Sequence, residues 1–137
     1  MLLVCVTDFR LVQSTFRDLE RSTSECNSFH LNLCVGYGAR SEIAHSCRRI
    51  AQQALLGRLQ VEEIDEKTVA DHLLTAGMPD PDLVLRTSGE IRLSNFLMFQ
   101  LAYAEMIFVN KNWPALCKND FDDVLQEFAR RQRRFGK

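Results

Sequence analysis

The alternation of short apolar runs with segments of helical spacing constrains the fold of this chain most strongly. Runs rich in β-branched and aromatic residues predict strands at residues 2–6, 29–37, 82–87 and 105–110. Segments with helical spacing lie between these runs and after the last one. This order of elements predicts an α/β fold with a mainly parallel sheet and helices on both faces.

Five segments are predicted to form the helices of this fold. They are residues 14–25, 41–59, 65–75, 94–104 and 118–135. In the second segment, apolar side chains recur at intervals of three and four, as on the buried face of an amphipathic helix. Ser94 is predicted to cap the fourth helix, and Asn119 or Asp120 the last, because short polar side chains accept hydrogen bonds from first-turn N–H groups.

Length and composition set the broad class of the protein. A chain of 137 residues with 46% apolar residues predicts a single domain with a buried core. The formal net charge of -1 argues against a general attraction to nucleic acid, so any anion site must be local. No apolar run approaches the roughly 20 residues that a membrane-spanning helix needs. Five cysteines without C-x-x-C spacing indicate reduced core thiols of an intracellular protein.

A polar loop follows the third predicted strand. It contains Arg86, Gly89 and Arg92, and it ends at Ser94, where the next helix is predicted to begin. Ligands of open parallel sheets bind beyond the carboxyl ends of the strands. Two guanidinium groups, together with free N–H groups at a helix start, suit a phosphate or diphosphate. Gly89 is predicted to allow a tight turn beside that ligand.

Glu105 begins the following strand and would add a carboxylate near this anion site. A Mg²⁺ ion between the carboxylate and a diphosphate would reconcile the two negative groups. The alternative interpretation is that Arg86, Arg92, Glu90 and Glu105 are solvated charges that pair weakly with one another.

The residues of this region resemble the signature of a known enzyme family. The stretch DLVLRTSGEIRLSNFLMFQLAYAEMIF, followed by WP at residues 113–114, is similar to that of the cis-prenyltransferases, the undecaprenyl and dehydrodolichyl diphosphate synthases. Members of that family typically read D-L-x-I-R-T-G/S-G-E-x-R-x-S-N-F-L-x-W-Q-x-x-Y-x-E. The stretch LNLCVGYGARSEI also looks like the family's strand-to-helix turn N-Y-G-G-R-x-E-I, with departures at Gly36 and Ala39.

The resemblance implies a role for each matching residue of the loop. Arg86, Arg92 and Ser94 match the catalytic and substrate-binding positions that hold the diphosphate of isopentenyl diphosphate. Glu105 matches the carboxylate that helps to hold Mg²⁺ in the same site. Family enzymes condense isopentenyl diphosphate with an allylic diphosphate in cis and so make polyprenyl diphosphates. The resemblance therefore implies a prenyl transferase.

The carboxyl-terminal residues RRFGK look like the family's R-x-G ending. The resemblance implies that Arg134 and Gly136 reach across a dimer interface and contact the diphosphate site of a partner chain. It implies either a homodimer or a heterodimer. It also implies action in the cytoplasm or at the surface of the endoplasmic reticulum membrane, with peripheral membrane association and without nucleic acid.

The resemblance further implies that the amino-terminal half of the catalytic domain is missing. Family domains are much longer, and their first half carries an H-x-D-G-N-x-R phosphate loop that does not occur in this sequence. Residues 1–137 are expected to be the carboxyl-terminal part of a single domain. Such a chain would hold the acceptor diphosphate, lack the donor half and be inactive alone.

Two other classes of function are kept open. The first is a non-catalytic partner subunit of a heteromeric cis-prenyltransferase, although such a scaffold would have no physical need for Arg86, Arg92, Ser94 and Glu105 together. The second is a phosphate-binding or nucleic-acid-binding module built from the loop and the basic tail. The absence of a P-loop, of G-x-G-x-x-G and of interleaved aromatic and basic residues argues against this module.

Overall fold

The computed structural model describes residues 10–132, and for residues 10–12 it describes the backbone alone. The chain divides into two compact units at the boundary between Ala76 and Gly77. The predicted strand at residues 2–6 lies outside the described residues, as do Arg134 and Gly136.

The described residues of the first unit form helices joined by irregular segments. Its helices are α1 (Arg10–Ser22), α2 (Ala39–Leu55) and α3 (Glu66–Asp71), and a short 3₁₀ turn at Val61–Glu63 precedes α3. Asp65 caps α3, because its side chain accepts a hydrogen bond of 2.7 Å from the Thr68 N–H. Helices α2 and α3 contact each other through the fully buried Ser46, whose hydroxyl donates to the Val69 carbonyl at 3.3 Å.

A buried carboxylate connects three parts of this unit. Glu42, in the first turn of α2, is only 4% exposed. The Tyr37 hydroxyl donates a hydrogen bond to one of its oxygens. The Leu74 N–H donates to the other at 2.9 Å. Because these two donors come from the turn before α2 and from the segment after α3, Glu42 fixes both segments to the start of the long helix.

The second unit contains the sheet. Strands β1 (Leu83–Arg86) and β2 (Glu105–Phe108) run parallel, with Leu83 opposite Glu105 and Arg86 opposite Phe108. A 3₁₀ turn at Trp113–Ala115 leads into helix α4 (Lys118–Arg130), which packs on β2. The α/β fold with a parallel sheet is thus confirmed, while the covering of both sheet faces by helices stays a prediction.

The prediction of a strand at residues 29–37 is wrong. This segment is irregular, with one isolated bridge residue at Val35. Its composition favours a strand, but Phe29 and Leu31 are 77% and 63% exposed. A strand is stabilised by a hydrogen-bonded neighbour and by one buried face. Within residues 10–132 this segment has neither over most of its length.

The prediction of a buried helix at residues 94–104 is also wrong. The segment forms a succession of turns, and Ser94, Asn95 and Leu97 have positive φ angles of 50°, 64° and 42°. A right-handed helix requires negative φ, so Ser94 does not cap a helix here. The turns nevertheless bury two of the apolar residues that have helical spacing, Leu97 and Leu101, which are 9% and 3% exposed.

The remaining predicted helices exist with shifted ends. Helix α2 ends at Leu55 rather than at residue 59, because Gly57 turns the chain with a φ of 68°. The cap of α4 is Cys117 instead of Asn119 or Asp120, and Asp120 stands three residues later as the acceptor for the Cys117 N–H at 2.7 Å. Helix α4 ends at Arg130 instead of at residue 135, since Arg131 is extended.

The predicted burial of the cysteines is wrong for most of those that the structure describes. Cys26, Cys34, Cys47 and Cys117 are free. Three of them are exposed, and only Cys34 is half-buried, where burial and the neighbouring Glu42 raise the pKa of its thiol. Within the part of the chain that the structure describes, none of the helices has the length and apolar character needed to cross a membrane.

Candidate diphosphate site

The candidate site is the loop at the carboxyl end of β1, residues 86–92, here named the anion loop. Backbone hydrogen bonds fix it against residues 109–111, which leave the carboxyl end of β2. The Val109 N–H donates to the Arg86 carbonyl at 2.9 Å, and the Gly89 N–H donates to the Val109 carbonyl at 3.0 Å. A third bond of 2.8 Å joins the Ser88 N–H to the Lys111 carbonyl. The loop therefore lies where ligands of parallel sheets bind.

The anion loop turns sharply at Ser88 and Gly89. Both residues have positive φ, 66° and 67° respectively. This conformation is open to glycine and strained for serine. A Cβ atom at position 89 would also lie 2.9 Å from the Asn110 side-chain oxygen. The predicted role of Gly89 in a tight turn is thus confirmed.

Substitution of Gly89 should therefore disturb the anion loop more than the same change elsewhere. We expect Gly89→Ala to lower the free energy of unfolding by about 1 kcal/mol and to weaken diphosphate binding severalfold. The control is Gly57→Ala, because Gly57 has a φ of 68° with no atom near its missing Cβ. Urea denaturation and calorimetric titration of both variants test this. Equal losses of diphosphate affinity in the two variants would contradict it.

Arg86 is the last residue of β1 and has hydrogen-bonding capacity that the described residues do not use. Its Nη2 atom lies 3.5 Å from the Ser94 hydroxyl oxygen, at the limit of a hydrogen bond. Its Nε atom is buried and has no hydrogen-bond partner within residues 10–132. A buried donor without a partner is costly, and such groups in native proteins call for an explanation, such as a bound ligand, ion or water. The structure thus brings Arg86 and Ser94 together, as predicted.

Arg92 lies on the same loop but is engaged differently. It forms an ion pair with Glu90, and its side chain is 65% exposed. An exposed ion pair contributes little to stability. The Arg92 guanidinium can therefore leave Glu90 and bind a more highly charged anion at a small cost in free energy. This pair matches the alternative of mutually paired surface charges, whereas the half-buried Arg86 does not.

Glu105 lies at the other end of the strands. It begins β2 opposite Leu83, three residues before the position opposite Arg86. Its carboxylate accepts a hydrogen bond of 2.9 Å from Arg131, which also donates to the Met106 carbonyl at 3.0 Å. Within this unit Glu105 therefore lies at the strand ends opposite to the anion loop, and its role as a metal ligand stays a prediction. No sequence pattern singles out Arg131 as this partner.

The donor set around Glu105 meets part of what Mg²⁺ requires. Within residues 10–132, no cluster of three or more histidine, cysteine or acidic side chains could hold a metal ion. Mg²⁺ commonly binds one or two carboxylates and completes its shell with substrate phosphates and water. Glu105 has the oxygen chemistry to supply one such ligand once its ion pair with Arg131 opens.

A second ion pair involves Lys111, whose carbonyl is bonded to the anion loop. The sequence did not predict this pair. The Lys111 Nζ atom is 2.8 Å from each carboxylate oxygen of Asp120, in the first turn of α4. The Lys111 ammonium, with the Cys117 thiol and N–H, lowers the pKa of the Asp120 carboxyl to about 2. The only sequence signal for this pair is an acidic residue near the start of a predicted helix.

The lowered pKa predicts a pH dependence of stability. A carboxyl whose pKa falls from 3.8 to about 2 on folding stabilises the folded state above its unfolded pKa. This contribution should fade as the pH falls from about 4 through 2. We expect the difference in unfolding free energy between the wild type and Asp120→Asn to shrink over that range, as measured by urea denaturation. A difference that does not change with pH would contradict the account.

The sequence of this chain matches known proteins over most of its length. The family model of undecaprenyl diphosphate synthases matches residues 9–136. A tritrans,polycis-undecaprenyl-diphosphate synthase (geranylgeranyl-diphosphate specific) from Thermoplasma volcanium is 44% identical over 126 residues, covering 92% of this chain and 49% of the relative. Isoprenyl transferase 2 of Corynebacterium efficiens is 48% identical over 130 residues, covering 93% and 54%.

A solved structure supports the fold in the same way. Lavandulyl diphosphate synthase from Lavandula x intermedia, crystallised with dimethylallyl diphosphate, is 36% identical and superposes with a TM-score of 0.87. The match covers 92% of this chain and 54% of that one. This chain thus spans about half the length of the curated relatives it matches. The family model covers nearly all of the sequence, and the chain belongs to the undecaprenyl diphosphate synthase family of prenyl transferases.

Proposed function

We propose that this chain carries the acceptor site of a cis-prenyltransferase and binds the diphosphate of isopentenyl diphosphate on the anion loop. The observation that carries the proposal is Arg86, whose half-buried guanidinium retains an unsatisfied Nε beside the Ser94 hydroxyl at the carboxyl end of β1. A planar guanidinium binds two phosphate oxygens at once, and Arg92 can add a second cation from its exposed pair with Glu90.

The reaction proposed for the full catalytic assembly joins isopentenyl diphosphate to an allylic diphosphate. One carbon–carbon bond forms, the allylic carbon–oxygen bond breaks and its diphosphate leaves, and a proton is lost from the isopentenyl unit. Arg86, Arg92 and Ser94 hold the diphosphate that stays on the acceptor. These residues position the acceptor. The two substrates then react within one complex and do not have to meet in the right orientation in solution. The relative crystallised with dimethylallyl diphosphate supports an allylic donor.

Mg²⁺ is the metal proposed for this assembly. When bound, it would neutralise charge on diphosphate oxygens. Glu105, at the opposite end of the strands from the anion loop, would supply one carboxylate ligand at that end. Arg131 pairs with Glu105 in the structure and must release it for this role.

The dimer is proposed on the resemblance of Arg134 and Gly136 to the family's tail. Arg131, the first residue after α4, donates a hydrogen bond to Glu105. We further propose that the 137-residue chain alone binds the acceptor without elongating a product. The basis for this is that residues resembling the family's donor loop are not found in its sequence. Mg²⁺-dependent elongation by the purified chain would contradict that last proposal.

Calorimetric titration of isopentenyl diphosphate, with and without Mg²⁺, tests the proposed function. The wild-type chain is compared with the double variant Arg86→Ala/Arg92→Ala. Saturable binding that the double variant loses would support the acceptor site. A folded wild-type chain that binds nothing would contradict the proposal for this chain and would favour the non-catalytic partner subunit. Equal affinity for isopentenyl diphosphate and for single-stranded RNA, both lost at high salt, would favour the nucleic-acid module.

A further inference from the structure

We propose that the ion pair between Lys111 and Asp120 is a brace that holds the anion loop in its binding conformation. Lys111 would then be a positioning residue. It would hold the anion loop that binds the acceptor diphosphate, without contacting the diphosphate itself. The effect of the brace on ligand binding rests on the proposed function. The brace itself is a property of the ligand-free protein.

The backbone of Lys111 forms the direct connection to the anion loop. Its carbonyl accepts the hydrogen bond of 2.8 Å from the Ser88 N–H. Ser88 has a φ of 66°, which a residue other than glycine adopts only when its surroundings impose it. The bond to the Lys111 carbonyl is therefore one of the contacts that keep the turn in this conformation.

The side chain of Lys111 in turn fixes that carbonyl to helix α4. Its Nζ atom binds both oxygens of Asp120 at 2.8 Å. Asp120 is itself held in the first turn of the helix, because its carboxylate also accepts from the Cys117 N–H at 2.7 Å and from the Cys117 thiol at 3.0 Å. A continuous path of contacts thus runs from the start of α4, through Lys111, to the turn of the anion loop.

This path of contacts affects ligand affinity because it determines how often the anion loop adopts its binding conformation. A loop that samples other conformations binds more weakly, in proportion to the fraction that is competent. Removal of the Lys111 ammonium leaves the backbone bond to Ser88 without its anchor on α4. The strained turn is then expected to open more often, and Arg86 and Arg92 to lose their fixed relation to the ligand.

Helix α4 also offers a matched control. Lys118 and Asp122 form an ion pair four residues apart on the same helix, with side chains that are 84% and 44% exposed. Among the described contacts, neither residue bonds to the anion loop or to residues 109–111. Lys118→Gln removes the same charge as Lys111→Gln without touching the proposed brace.

Amide hydrogen exchange of the ligand-free protein tests the brace directly. In Lys111→Gln we expect the Ser88 and Gly89 amides to exchange about tenfold faster, with the amides in the middle of α4 unchanged. Lys118→Gln should leave the Ser88 and Gly89 amides at their wild-type rates. Unchanged exchange of Ser88 and Gly89 in Lys111→Gln, or equal acceleration in both variants, would overturn the proposal.

Binding of isopentenyl diphosphate tests the consequence. Lys111→Gln should raise the Kd about fivefold to tenfold, Lys111→Arg should restore it to within about twofold, and Lys118→Gln should not change it. Accelerated exchange without any change in Kd would overturn the positioning role. If the wild type does not bind isopentenyl diphosphate, the proposed function fails, and the exchange measurement still decides whether the brace exists.

Discussion

Arg86→Ala is expected to weaken the binding of isopentenyl diphosphate by about 100-fold or more. The guanidinium is half-buried at the end of β1, with an unsatisfied Nε and with Ser94 at 3.5 Å, so its loss removes a positioned cation as well as a net charge. Arg86→Lys should recover only part of the affinity, because an ammonium cannot hold two phosphate oxygens in one plane. Calorimetric titration of the two variants measures both effects.

The control for this prediction is Arg58→Ala. Arg58 is an exposed arginine just beyond α2, in the other unit, so its removal makes the same change in net charge without altering the anion loop itself. We expect its effect on the Kd to be less than about twofold. Comparable losses in Arg58→Ala and Arg86→Ala would show that only the overall charge matters, and the site would not be where the anion loop lies.

Glu42→Ala is expected to destabilise the first unit by about 2–3 kcal/mol. The carboxylate is 4% exposed and accepts from the Tyr37 hydroxyl and the Leu74 N–H, so its removal leaves two donors without their acceptor. Glu42→Gln should cost less, since the amide oxygen can still accept one of these bonds. Native-state hydrogen exchange of the α2 amides measures the loss within the unit concerned.

Glu62→Ala serves as the comparison for this second prediction. Glu62 is an exposed glutamate of the same unit, in the 3₁₀ turn before α3. Its substitution should change the protection of α2 by less than about 0.5 kcal/mol. An equal loss of protection in both variants would mean that the Glu42 contacts stabilise α2 against its neighbours no more than an exposed glutamate does.

The anion loop shows what the sequence could predict. The apolar run before Arg86 and the glycine at position 89 were sufficient to predict a strand and a tight turn, because each depends on local chemistry. The anion site at the two arginines stays a prediction. The position of Glu105 relative to Arg86 could not be predicted, since strand register depends on the pairing of the two strands.

The segment at residues 94–104 shows why the rest could not be predicted. Its apolar spacing fits a helix, yet three residues adopt positive φ because burial of Leu97 and Leu101 determines the path of the backbone. The Lys111–Asp120 and Arg131–Glu105 pairs likewise join residues that are 9 and 26 positions apart. No pattern along the chain selects one partner for such a lysine or arginine among many acidic residues.

The most direct test of the acceptor site is a titration followed by the NMR resonances of the arginine Nε–H groups. Addition of isopentenyl diphosphate to the labelled chain should shift the Arg86 resonance and the amide resonances of Ser88 and Gly89 along one saturable curve, while Arg58 stays unchanged. Saturable binding that leaves Arg86 unperturbed would place the ligand elsewhere and contradict the proposed role of the anion loop.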